Sequence, residues 1–143
     1  MSRALLDVNV LLALFDPDHV HHVAAREWLD ANIGDGWATC AITQNGFVRI
    51  ISQPTYTSPK SPSSAAERLA RACVSRHHEF WSCDVSLLDA QVIDRTRLHG
   101  LEQVTDGYLL ALAVAHGGRF ATFDRTVSLS AVAGASEEHL ALV

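Results

Sequence analysis

Three aspartates stand where chemistry could be done. Asp7 closes the apolar run Ala4-Leu5-Leu6, and Asp124 closes the run Arg119-Phe120-Ala121-Thr122-Phe123. Asp106 heads the most apolar stretch in the chain, Gly107 to His116. Carboxylates a few ångströms apart resist joint ionisation unless a cation lies among them. Mg²⁺ and Mn²⁺ prefer such oxygen ligands, and Mg²⁺ is usually held by one or two carboxylates plus waters and phosphate. A cation held this way activates water and stabilises a leaving oxygen, which is the chemistry of phosphodiester hydrolysis. Each aspartate also has a plainer reading. Asp7 would cap a helix, Asp106 would sit as a charge at a helix start, and Asp124 would turn the chain before Arg125. That the pattern occurs three times favours one shared pocket.

Particular elements must position these residues. A short, nearly all-apolar run with its polar group at the carboxyl end predicts a buried parallel strand. Ligands of open α/β sheets gather at that end. Strands are expected at the first run, at Trp37 to Cys40, Glu79 to Cys83, Arg119 to Phe123, and His139 to Val143. Helices are expected between them. Val8 to Phe15 is broken by Asp16-Pro17-Asp18. His19 to Ala31 turns Val20, Val23, Ala24 and Trp28 to the core and is ended by Gly34-Asp35-Gly36. Ile42 to Ile51 has Thr43 to cap it, and Ala65 to Arg76 follows an exposed Pro/Ser-rich connector over Gln53 to Ser64. Leu87 to Leu98 is closed by Gly100, and Gly107 to His116 by Gly117-Gly118. This alternation predicts an α/β fold: a central, mostly parallel sheet with helices on both faces. At 143 residues the chain is expected to be one domain. Right-handed crossovers then bring the three aspartates to one edge.

Composition narrows the function. Net charge is −5, which argues against a general nucleic-acid coat, normally basic, and leaves room for local RNA binding. Ten of the eleven basic residues are arginine, which suits bidentate phosphate contacts. The 48% apolar content hints at a patch for a partner. Cys40, Cys73 and Cys83 are odd in number and widely spaced, and read as buried thiols of a reducing compartment. No long apolar segment marks a signal peptide or membrane span, so a cytoplasmic protein is expected.

Four segments, in order, resemble the signature blocks of PIN domains, and more closely the VapC-type ribonuclease toxins of bacterial toxin–antitoxin pairs. They are Leu5-Leu6-Asp7-Val8-Asn9-Val10-Leu11-Leu12, Ile42-Thr43-Gln44-Asn45-Gly46-Phe47-Val48-Arg49, Val104-Thr105-Asp106-Gly107-Tyr108-Leu109-Leu110-Ala111-Leu112-Ala113, and Ala121-Thr122-Phe123-Asp124-Arg125. The resemblance implies a PIN-like fold and a Mg²⁺- or Mn²⁺-dependent endoribonuclease. It also implies a homodimer and a VapB-type antitoxin that covers the site. By position, Asp7 and Asp106 match the principal metal ligands and Asp124 the third acidic position. Asn9 and Thr122 match small polar residues that support the carboxylates. Gln44 stands where the family usually has Glu. A carboxamide neutralises no metal charge, though its oxygen still accepts a hydrogen bond.

Other residues read more plainly. His21 and His22 are adjacent and share no helix face, so with His19 they read as surface or capping residues. His77-His78 read the same way. Trp28, Trp37 and Trp81 read as core. Arg125, beside the expected site, and Arg49 are candidates to meet RNA phosphates. Two rival functions compete with the metal nuclease. A phosphoacceptor or phosphatase also gathers Asp at strand ends, but the only lysine, Lys60, lies in the connector, and position 9 is Asn, not a second Asp. A catalytically weak PIN scaffold, acting by binding RNA or antitoxin, is the reading that Gln44 keeps open.

Overall fold

Five short strands form one all-parallel sheet in the computed structural model, which describes residues 2–143. They are β1 (Ala4–Leu6), β2 (Trp37–Cys40), β3 (His78–Trp81), β4 (Arg119–Thr122) and β5 (Leu140–Leu142), in spatial order β3-β2-β1-β4-β5. Leu5 pairs with Ala38 on one side and Phe120 on the other. β1, β2 and β4 are buried on both faces, as parallel strands covered by crossovers must be. The period of two sorts their side chains. Leu6, Trp37 and Ala121 face one core, and Leu5, Ala38, Cys40 and Phe120 face the other.

The first core is covered by α1 (Val8–Phe15), α2 (His22–Asn32), α3 (Ala41–Ile51) and α4 (Pro62–Ala72). The second is covered by α5 (Leu101–Ala115), which buries Leu109, Leu110 and Leu112. Strand order therefore reverses at β1: the chain moves outward through β2 to β3, then returns to β4 on β1's other side. The crevice beyond the carboxyl ends of β1 and β4 is thus a topological switch point, the usual ligand site of an open α/β sheet.

Helix boundaries depart from the sequence reading in four places. α2 starts at His22, not His19, and turns Ala25, Trp28 and Leu29 inward, while Val20 and Val23 are 87% and 66% exposed. The buried guanidinium of Arg119 holds this face. It donates to Asn32 Oδ1 at 3.0 Å and lies over the Trp28 ring at 5.4 Å. α4 starts earlier, at Pro62, because Ser61 caps it by accepting from Ser64 N and proline suits the first helical turn. Residues 87–98 form no helix, only turns and a 3₁₀ turn at Arg95–Arg97. Here Asp89 accepts from Gln91 N and Asp94 from Thr96 N, so side chains capture the donors a helix needs. The fourth departure concerns Asp106. α5 begins at Leu101, so Asp106 lies in its second turn rather than at its head. At the other end Gly117, with φ of +66°, lets Gly118 N bond back to Ala113 O and stops α5. The cysteines differ too: Cys40 is buried, Cys73 half-buried and Cys83 exposed.

Candidate active site at the carboxyl edge of the sheet

Asp7 follows β1 directly and is 7% exposed. Its extended backbone makes it the N-cap of α1, with Oδ1 accepting from Val8 N at 2.7 Å. Its Oδ2 accepts from Thr122 Oγ1 at 2.6 Å, across the β1–β4 junction. The capping and site readings are therefore compatible, one oxygen to each. Burial pushes the Asp7 carboxyl above its ordinary range, the Thr122 and Val8 hydrogen bonds oppose this, and the Asp124 charge adds to it.

Thr122 has one hydroxyl proton, and that proton goes to Asp7. Its oxygen accepts from Asp124 N at 3.0 Å and from Asn9 Nδ2 at 3.4 Å. This fixes the Asn9 amide orientation and leaves its Oδ1 buried without a partner. Asp124 caps its own turn, accepting from Thr126 N at 2.8 Å and Thr126 Oγ1 at 2.7 Å. Those bonds hold its carboxyl below the usual range. Asp106 reaches the same place from α5 and shares a hydrogen bond with Asp124. Burial raises it first, then the charge of Asp7, the Asp124 bond and charge, and Glu102, up to about 7. The two carboxyls are thus driven apart, Asp106 upward and Asp124 downward.

Glu102 was missed by the sequence reading. It lies one turn before Asp106 on α5, exposed on the same side. The i, i+4 spacing is the signal, but it becomes visible only when the helix is carried back to Leu101. Gln44 Nε2 donates to Thr39 Oγ1 at 3.0 Å, and its side chain lines a cavity of about 390 Å³ between α3 and α4, with Val48, Leu69 and Cys73. Arg125, next to Asp124, and Arg49, on α3, are both exposed.

The donor set suits a hard divalent cation. Among the described residues no three or more His, Cys, Asp or Glu side chains converge into a closed metal-binding group. Mg²⁺ needs no such cage, since it keeps several waters. The like-charge strain on Asp106 and the partnerless oxygen of Asn9 are what an oxygen-liganded cation with bound water would relieve.

The PIN domain family model matches residues 4–134. Ribonuclease VapC44 of Mycobacterium tuberculosis is 66% identical over 97% of this chain and 98% of its own length. Ribonuclease VapC39 of the same organism is 44% identical, covering 94% and 97% of the two chains. Among solved structures, Mycobacterium tuberculosis VapC20, described as a sarcin-ricin loop cleaving toxin, aligns with a TM-score of 0.62 at 15% identity, covering 94% of this chain and 97% of its own. A chain of FitAB bound to an IR36 DNA fragment aligns with a TM-score of 0.56 at 26% identity over 85% of each. The chain belongs to the PIN-domain family, in its VapC ribonuclease branch.

Proposed function

We propose that this protein is a divalent-metal-dependent endoribonuclease, the toxin of a toxin–antitoxin pair, built as one domain over residues 1–143. The observation that carries the reading is that Asp7, Asp106 and Asp124 lie near enough at the switch point to act on one another's charge, which helps raise the Asp106 carboxyl. Asp7 and Asp106 would hold Mg²⁺ or Mn²⁺, and Asp124 completes the acidic group. Bound there, the metal supplies a water nucleophile at neutral pH and charge stabilisation for the leaving oxygen. Thr122 and Val8 N fix the Asp7 carboxylate, and Asn9 braces Thr122. Arg125 and Arg49 are placed to meet RNA phosphates. Gln44 takes the place where the family usually has Glu, and its carboxamide oxygen can accept a hydrogen bond or ligate weakly there.

A VapB-type antitoxin is the expected partner, with a homodimer as the working assembly. An arginine supplied by that antitoxin would complement the acidic pocket. No helix among the described residues is long and apolar enough to cross a membrane, in keeping with a cytoplasmic setting.

The test is cleavage of total bacterial RNA by antitoxin-free protein in Mg²⁺, Mn²⁺ or EDTA, beside Asp7→Ala. Discrete products that vanish with EDTA and in the variant are expected. Folded protein that binds RNA but cuts in neither metal would instead make it a binding scaffold.

A further inference from the structure

The segment between α1 and α2 carries two histidines, His19 and His21, that the proposed reaction leaves unused. One of them packs on Phe123, the residue between Thr122 and Asp124. The His21 ring stacks on Phe123 with centroids 4.7 Å apart and planes 25° from parallel. Phe123 stands between Thr122 and Asp124 and packs against the core on the α1 side of the sheet. His19 leans on His21 at 5.8 Å and 43°. Phe123 thus backs the His21 ring on one side, while the tilted His19 ring only flanks it.

The backbone fixes His21. Its N–H donates to His19 Nδ1 at 3.0 Å, and its carbonyl accepts from Ala25 N at 2.9 Å. Its own ring is exposed, and no hydrogen bond to either ring nitrogen is found among the described residues. A rigid, exposed aromatic ring beside the reacting group is the means by which single-stranded RNA is gripped, since unstacked bases lie on Phe, Tyr, Trp or His. The need is acute here. With a net charge of −5 and carboxylates lining the cleft, electrostatics holds RNA poorly, and stacking does not depend on charge.

We propose that His21, backed by Phe123 and flanked by His19, is the platform on which a nucleobase beside the cleaved phosphodiester stacks. The proposal rests on the ribonuclease reading.

The experiment uses an oligoribonucleotide spanning the main cleavage site mapped in total RNA. Its steady-state cleavage is measured with wild type, His21→Ala, His21→Trp and Asp7→Ala, all checked by thermal melting. His21→Ala is expected to raise KM about tenfold with a much smaller loss in kcat, and His21→Trp to restore KM. A 2-aminopurine placed beside the cleavage site should be quenched by wild type and the Trp variant, and not by the Ala variant. A KM for His21→Ala within about twofold of wild type, or no rescue by Trp, overturns the platform while cleavage stands. Wild type that yields no Asp7-dependent products overturns the ribonuclease reading, and the platform with it.

Discussion

Asp7 divides its carboxylate between two tasks. Oδ1 starts a helix and Oδ2 ties β1 to β4 through Thr122. The same Thr122 oxygen receives Asp124 N and the Asn9 amide, so one hydroxyl sets the relative positions of two acids. Its replacement should therefore cost more than one hydrogen bond. Thr122→Val is expected to lower RNA cleavage about 10–100-fold, as loss of a ligand's supporting partner does. It should also lower stability by ~1–3 kcal/mol, because buried groups lose their partners. Thr122→Ser keeps the hydroxyl and should retain most of both. Cleavage assays and denaturant melts on the pair decide it; equal behaviour of the Val and Ser variants would show that the hydroxyl does not matter.

At the scale of elements, the first turn of α1 packs closely on α3. Gly46 on α3 permits the approach: a Cβ there would fall 2.7 Å from Val8 Cγ2. Gly46→Ala is expected to cost ~1–3 kcal/mol by overpacking. Val8→Ala in the same chain should recover much of it, because the obstacle is a side-chain methyl. Urea melts of the double-mutant cycle measure the coupling, and strict additivity would refute the contact. Gly118 differs, since a Cβ there would lie 2.6 Å from the backbone oxygen of Arg3 as well as against Trp81. α5 shows how an element alters a site. Its true start at Leu101 moves Asp106 from a helix head, where the macrodipole would favour charge, into the second turn, where burial and neighbours raise it.

The whole molecule registers the site as a pH dependence. Asp106 titrates near 3.8 when unfolded and about 7 when folded. Between those values the folded chain holds a proton that the unfolded chain has lost. Its stabilising contribution is therefore full below about pH 4 and lost as pH rises through 7. His19 and His78 are lowered by burial and act oppositely, their contribution lost as pH falls below 6.5. Comparing wild type with Asp106→Asn isolates the aspartate. In EDTA, Tm of the wild type relative to the variant should fall between pH 5 and 7.5. Added Mn²⁺ at pH 7.5 should raise the wild-type Tm by mass action and leave the variant less affected. A constant Tm difference across that range would show that folding does not raise the Asp106 carboxyl.

Much of this was legible in the chain alone. β1, β4, Asp7 and Asp124 follow from apolar runs that end in a polar residue, because a strand buried on both faces tolerates polarity only at its end; the parallel sense follows from the alternation of strands with helices. Local signals failed where side chains compete with the backbone or where packing decides a boundary. Asp89 and Asp94 dissolved a helix that periodicity favours over 87–98. The buried Arg119 chose the inward face of α2 over the more apolar Val20 and Val23. Gly107 looked like a helix start, yet lies buried within α5. Gln44, adjacent in sequence to Thr43, was turned to Thr39 and the α3–α4 groove by the direction its helix takes. Nothing in the order of residues foretells that His21 would stack on Phe123. That pairing comes from separate segments whose meeting is fixed only when the chain closes on the sheet. The sequence by itself determined which carboxylates lie at strand ends. The tertiary structure decided which of them act on one another's charge and which rings stack on Phe123, because charge coupling and stacking depend on distance through space.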